Sequence, residues 1–146
     1  MPDATGRTPA GDPTRDPTRD PATRVLVLAD DLIWAERLAG AVRAAGARPI
    51  RTGSEARLEE VLGASATPAE AALVDLAART FDGIALTGRL AEAGIPVLAI
   101  GQHDDVGLRK RALAAGARRV LAYRKLAEDG PAVVSAFLSA HVTVPA

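Results

Sequence analysis

The chain has 146 residues, and its 48% hydrophobic content is enough for one domain with a substantial core. Its 18 basic and 18 acidic residues cancel, so the overall charge gives no indication of nucleic-acid or membrane binding. There is no cysteine, which excludes disulfides, thiolate metal sites and a cysteine nucleophile. No stretch has the pattern of a signal peptide or a membrane span, so we expect a cytoplasmic protein.

Residues 1–23 have a composition that does not favour folding. The motif DPTR at 12–15 is repeated at 16–19 and is followed by DPATR at 20–24. Proline lacks a backbone N–H and disfavours helix in the residue before it, and this stretch has little to bury. We therefore predict a disordered N-terminal tail over 1–23 and one folded domain over 24–146. The alternative function for the tail is a docking motif.

From residue 24 onwards, apolar runs alternate with segments of helical spacing. The runs predict strands buried on both faces, and the spacing, with glycines at the ends, predicts helices between them. The predicted strands are 24–29, 48–52, 71–76, 95–100 and 119–123, and the predicted helices are 31–45, 54–62, 83–93, 105–115 and 131–141. Five such alternations predict an α/β domain with a five-stranded, doubly wound parallel sheet of flavodoxin-like order.

Ligands of such sheets bind beyond the carboxyl ends of the strands, which makes the residues there candidates for a site. Asp30 and Asp31 follow the first strand, and Asp75 ends the third, so their carboxylates should approach one another. Carboxylates together favour a hard cation such as Mg²⁺. The alternative interpretation is that these acids cap helices, Asp31 in particular. The candidate metal positions are Asp30, Asp31, Asp75 and Ala77.

Four stretches, in this order and spacing, resemble the receiver domain of bacterial two-component response regulators, the CheY-like superfamily. They are RVLVLADD, DLAARTFDG, IPVLAIGQHDD and ALAAGARRVLAY, and the resemblance covers about residues 24–141. The resemblance implies that Asp75 is the phosphoacceptor, because Gly83 follows it at the family's separation. It also implies a Mg²⁺ ion beside Asp75 and a part in a phosphorelay.

The same comparison indicates a degenerate, pseudo-receiver variant. Four functional positions of the family are replaced, with the first acid, the strand-four hydroxyl, the aromatic switch residue and the lysine falling on Ala29, Gly101, Val120 and Tyr123. Phosphoryl transfer depends on neutralising charge, so these losses predict weak Mg²⁺ binding and inefficient phosphorylation. Lys125 is the candidate to pair with phosphate instead, although two residues span about 7 Å on a strand.

Three smaller features of the sequence have more than one interpretation. Seven basic residues between Arg109 and Lys125 indicate either a docking face or ordinary solvated charge, and we favour the latter. His103 beside two aspartates has the chemistry of a transition-metal site but lacks a second histidine nearby. Trp34 is interpreted as a packing residue.

The leading hypothesis is a stand-alone receiver-like signalling module, not an enzyme, that needs no cofactor. It would act through a protein partner, a histidine kinase or another signalling protein, without phosphorylation. We expect no nucleic-acid or membrane partner and keep a homodimer as an option. One alternative is a working response regulator phosphorylated on Asp75 with Mg²⁺. The other is a flavodoxin-like small-molecule binder that uses Gly101 and Gln102.

Overall fold

A computed structural model describes residues 23–64 and 69–142 of the chain. The predicted tail lies outside this part except at Thr23, so its disorder stays a prediction. Within the described part, no helix has the length and apolar character needed to cross a membrane.

The described residues form five parallel strands that alternate with five helices. The strands are β1 (Arg24–Leu28), β2 (Arg48–Arg51), β3 (Ala71–Asp75), β4 (Val97–Gly101) and β5 (Arg119–Ala122). The helices are α1 (Leu32–Ala44), α2 (Glu55–Ala64), α3 (Gly83–Glu92), α4 (Val106–Ala115) and α5 (Tyr123–His141). The sheet order is β2-β1-β3-β4-β5. The predicted α/β class and flavodoxin-like order are therefore confirmed.

Two apolar layers cover the sheet, one on each face, because successive side chains of a strand point to opposite sides. Val25 and Val27 of β1 pack into the layer below α1 and α5, where Phe137 is 2% exposed. Leu26 and Leu28 pack into the layer below α2, α3 and α4. All residues of the central strands β3 and β4 are buried, as their continuous apolar runs predict. This rigid centre fixes the position of Asp75 at the end of β3.

Two glycines allow close approaches that a side chain would prevent. A Cβ on Gly83 would lie 3.0 Å from the Cα of Leu76 and 3.1 Å from the carbonyl oxygen of Asp75, so glycine lets α3 begin directly beside the end of β3. Gly116 ends α4 with a φ of 120°, and a Cβ there would lie 2.6 Å from the Cβ of Ala91.

The last helix is the main difference from the sequence prediction. The predicted strand through Tyr123 ends at Ala122, and the helix predicted from Pro131 begins at Tyr123. Its first turns were missed because Pro131 lies inside the helix, where it produces a kink with non-helical angles at Asp129 (φ −133°, ψ 27°). Consequently Lys125 lies on a helix and not on a strand. The other boundaries differ from the predictions by one or two residues.

Candidate functional site

An open cleft of about 740 Å³ lies at the carboxyl edge of the sheet, where the topology predicts a site. It is bounded by the ends of β1, β3, β4 and β5 and by the first turn of α1. Its lining residues are Asp30, Asp31, Trp34, Asp75, Ala77, Arg79, Thr80, Gln102 and Tyr123. The candidate positions Asp30, Asp31, Asp75, Ala77 and Tyr123 are thus brought together.

Asp75 is the most buried acid described, with 3% of its surface exposed. Its Oδ1 atom accepts hydrogen bonds from the backbone N–H of Ala77, at 3.0 Å, and from the hydroxyl of Tyr123. Its Oδ2 atom accepts none from residues 23–64 or 69–142. Burial raises the pKa of Asp75, and this outweighs the lowering by the two hydrogen bonds, while the charges of Asp30 and Asp31 raise the pKa further.

Tyr123 begins α5 and lies across the cleft from α1. Its ring contacts that of Trp34, with centroids 4.6 Å apart and planes tilted by 47°. Burial and the hydrogen bond to the Asp75 carboxylate raise the pKa of Tyr123 well above its ordinary value. The hydroxyl therefore stays protonated and acts as the hydrogen-bond donor to Asp75. At the position where the resembled family has a lysine, this chain therefore presents a neutral donor to the acid.

Asp30 holds the loop that follows β3. Its Oδ2 atom accepts hydrogen bonds from the backbone N–H groups of Arg79 and Thr80, both at 2.7 Å. Desolvation acts to raise the pKa of Asp30, but these hydrogen bonds outweigh it and the pKa is lowered. The carboxylate is ionised and occupied with the backbone of the 77–82 loop.

Asp31 caps the first helix. Its Oδ1 atom accepts a hydrogen bond of 3.0 Å from the N–H of Trp34, which confirms the capping interpretation. The two residues that follow are apolar and open to solvent, with Leu32 78% and Ile33 66% exposed. These two residues, called the apolar rim below, lie in the chain between Asp31 and Trp34, which both line the cleft.

The candidate metal ligands that line the cleft with a carboxylate are Asp30, Asp31 and Asp75. In the ranges 23–64 and 69–142, no set of three or more histidine, cysteine, aspartate or glutamate side chains is arranged to hold a metal ion. Asp30 is engaged by the loop backbone, and Ala29 offers no carboxylate. The resembled family has a divalent ion here, and of the candidate ligands in this chain Asp30 and Asp31 are each already engaged through one oxygen with backbone N–H groups. The same finding covers His103 and its two neighbouring aspartates, of which Asp105 caps α4.

The remaining candidates lie away from the cleft lining. Gly101 ends β4 and is buried, with room for a small side chain, because a Cβ would meet the side chain of Leu76 at 3.4 Å. Val120 is 6% exposed and packs into the layer below α4. Lys125 pairs with Asp129 one helical turn along α5, at 2.8 Å. A role for Lys125 beside Asp75 therefore finds no support in its placement.

Some lining residues escaped the sequence analysis. Arg79 and Thr80 reach the cleft because Asp30 binds their backbone, a contact across 49 and 50 residues. Trp34 packs against the core, as predicted, and it also contributes one wall of the cleft. Its position three residues after the capping acid at a strand end is the signal that could have indicated this.

Among the seven basic residues between Arg109 and Lys125, the side chain of Arg109 donates a hydrogen bond to the backbone carbonyl of Val120 at 3.1 Å.

No protein-family model matches the chain, and a search among curated proteins finds no match. Solved structures do resemble it. The receiver domain of the TMAO respiratory response regulator TorR has a TM-score of 0.70 at 19% identity, covering 82% of this chain and 98% of its own. A response regulator receiver domain from Rhodospirillum rubrum has a TM-score of 0.68 at 22% identity, covering 84% and 96%.

A response regulator from Burkholderia pseudomallei, solved with a phosphorylated aspartic acid, a calcium ion and citrate, has a TM-score of 0.63. It is 23% identical and covers 83% of this chain and 67% of its own. At these identities the likeness concerns the fold. The chain therefore has the fold of the CheY-like receiver domains of response regulators.

Proposed function

We propose that this chain is a receiver-like signalling module that works through contacts with a protein partner and without phosphorylation of Asp75. The observation that carries the proposal is the hydrogen bond from the Tyr123 hydroxyl to Asp75. A lysine at this position would bring a positive charge to an incoming phosphoryl group, and a protonated phenol brings none.

The charge around Asp75 supports the same conclusion. The cleft lining carries three carboxylates, from Asp30, Asp31 and Asp75, against the guanidinium of Arg79. A phosphoryl group on Asp75 would add negative charge where the lining is already acidic, and within residues 23–64 and 69–142 no cluster of three or more ligating side chains is present to hold a neutralising metal ion. Positioning and neutralisation are the main means by which proteins promote phosphoryl transfer. Both are weak here.

The partner under this proposal is a histidine kinase or another signalling protein. The module carries out no catalysis of its own, and its balanced charge does not favour nucleic acid or membranes. One observation keeps a second candidate in view, a working response regulator phosphorylated on Asp75. The Oδ2 atom of Asp75 accepts no hydrogen bond from the described residues, so one carboxylate oxygen is free to act as the acceptor.

Intact-mass spectrometry after incubation with acetyl phosphate and Mg²⁺ separates the two candidates. We expect no phosphoryl adduct on the wild-type chain under conditions that fully modify a typical receiver domain. Amide NMR shifts around Asp75 should also stay unchanged on adding beryllofluoride and Mg²⁺. An adduct on the wild type that is lost in Asp75→Asn would refute phosphorylation independence and establish the working response regulator.

The substitution Tyr123→Lys is the matched gain-of-function variant. If the missing cation is what keeps Asp75 unreactive, this variant should acquire a measurable adduct while Tyr123→Phe does not. Circular dichroism should show the same fold in all three proteins. Equal reactivity of the lysine and phenylalanine variants would contradict the role assigned to the tyrosine.

A further inference from the structure

We propose that the cleft beside Asp75 receives an arginine side chain of the partner protein, flanked in the partner by apolar residues. This inference rests on the proposed function, because it names the chemistry by which a partner would contact this module. It is carried by a buried oxygen without a donor and an aromatic wall, which line one open space, and by two exposed apolar residues that directly follow the lining residue Asp31.

The buried oxygen is Oδ2 of Asp75. The residue is 3% exposed, and its two hydrogen bonds both reach Oδ1, so within the described part of the chain Oδ2 has no donor. An ionised, buried acceptor without a partner is costly, and a donor that arrives from outside removes that cost. A cationic donor gains most, because hydrogen bonds between charged groups are about twice as strong as neutral ones.

The aromatic wall is formed by Trp34 and Tyr123. The rings of such residues attract cations, and guanidinium groups more often than ammonium groups because they are planar and stack. Trp34 already makes such a contact, because the guanidinium carbon of Arg37 lies 5.1 Å from its ring centroid. Both rings also line the cleft together with the acids.

The arrangement of the acids favours an extended organic cation over a compact ion. Asp31 and Asp75 line the same cleft and come from different elements, the start of α1 and the end of β3. A guanidinium has five N–H donors in a fixed fork and can address two separated carboxylates at once. The volume of about 740 Å³ lies within the usual range of pockets that bind small groups. The guanidinium of Arg79, which also lines the cleft, repels an incoming cation and limits the expected affinity for arginine.

The apolar rim indicates what lies next to the arginine in the partner. Leu32 and Ile33 directly follow the capping Asp31 and are the most exposed large apolar side chains described, at 78% and 66%. Apolar groups on either side of the arginine would cover them. The predicted ligand is therefore a short segment of the type apolar–arginine–apolar.

Fluorescence tests this directly, because Trp34 is the single tryptophan of the chain and lines the cleft. The probes are acetyl-Leu-Arg-Leu-amide and the same peptide with citrulline, which keeps the shape of arginine and removes its charge. We expect saturable binding of the arginine peptide and at least about tenfold weaker binding of the citrulline peptide. Equal binding of the two peptides, or no binding of either, would overturn the proposal.

Variants of the full chain locate the site. Asp75→Asn keeps an acceptor for Tyr123 and Ala77 but places an amide where Oδ2 lies, so arginine binding should fall about tenfold or more. Glu92→Gln removes an exposed carboxylate at the far end of α3 and should leave binding unchanged. Arg79→Gln should strengthen binding. If Asp75→Asn binds like the wild type while its circular dichroism is native, the arginine does not enter this cleft.

Two further outcomes are distinguishable. A wild-type chain that binds the arginine peptide and also forms a phosphoryl adduct would refute the proposed function and leave the arginine site standing. A chain that does neither would refute the arginine site alone.

The double substitution Arg15→Gln and Arg19→Gln in the DPTR repeats tests whether the chain's own N-terminal tail occupies the cleft instead of a partner. If it strengthens peptide binding about tenfold, the cleft is filled by the chain's own tail and the assignment to a partner is wrong.

Discussion

Tyr123→Phe removes one hydroxyl and keeps the aromatic ring. In the wild type this hydroxyl donates to Oδ1 of Asp75, a contact between residues 48 positions apart. The phenylalanine ring can maintain the packing against Trp34, whose centroid lies 4.6 Å away. The substitution therefore isolates the hydrogen bond from the packing, and the acid keeps the N–H of Ala77 as its donor.

The expected cost follows from the charge of the acceptor. A hydrogen bond to an ionised group contributes about 1.5–3 kcal/mol to stability, against about 1 kcal/mol for a neutral pair. Because Asp75 is buried and Tyr123 half-buried, we expect Tyr123→Phe to cost about 2 kcal/mol at neutral pH. In the Asp75→Asn background the same change breaks a neutral pair and should cost about 1 kcal/mol.

Both costs are measured in one double-mutant cycle of the wild type, Tyr123→Phe, Asp75→Asn and the double variant. Each protein is unfolded in urea, and the unfolding is followed by circular dichroism. The charged contribution should disappear at low pH, where Asp75 is protonated in the wild type too, so the two costs should converge there. A cost that is the same in both backgrounds at neutral pH would refute the interpretation of the contact as a charge-assisted hydrogen bond. A cost below about 0.5 kcal/mol in the wild type would refute the contact itself.

Three other substitutions test separate parts of the structure. The pKa of Asp75 is raised in the folded state, so its contribution to stability is present below the unfolded pKa of about 4 and is lost as the pH rises through the folded pKa. Asp75→Asn should therefore be more stable than the wild type at neutral pH. The difference between the two free energies of unfolding, measured in urea, should shrink towards pH 4. Asp30→Ala should cost about 1–2 kcal/mol by removing the acceptor of two backbone N–H groups and should increase hydrogen exchange at Arg79 and Thr80; unchanged exchange there would contradict the loop contact. Gly116→Ala should cost about 2–4 kcal/mol, because a Cβ would lie 2.6 Å from Ala91 at a φ of 120°. Its matched control, Gly46→Ala at a φ of 85° with nothing within 4 Å, should cost about 1 kcal/mol in thermal unfolding, and equal costs would rule out the steric reason.

The sheet and most helix boundaries were predictable because their signals are local. The apolar runs of β3 and β4 stop within one residue of the ends of their strands, and Asp82 caps α3 through two backbone N–H groups, at 3.0 and 3.1 Å. The first turns of α5 were not predictable in this way. Proline inside a helix is read from sequence as a start, and Pro131 marks a kink instead.

The site was predictable in its membership but not in its contacts. Order and spacing placed Asp30, Asp31 and Asp75 at one edge, since the carboxyl ends of parallel strands lie together. Which atoms meet is decided by packing between distant segments. Asp30 binds a loop some 50 residues away, and Tyr123 reaches Asp75 because α5 begins earlier than predicted. Such contacts have no periodic signature that a single sequence could reveal.

The replacement of a lysine by Tyr123 connects the two proposals. A lysine beside Asp75 would balance one carboxylate and attract a phosphoryl group, while a phenol satisfies Oδ1 and leaves the charge of the cleft unchanged. With three acids against Arg79, adding a phosphoryl group increases the imbalance and adding a guanidinium reduces it. The features that disfavour phosphorylation under the proposed function are thus the ones that suit the cleft to a cation. A single residue sets both properties, so Tyr123→Lys should weaken arginine binding as it increases the reactivity of Asp75.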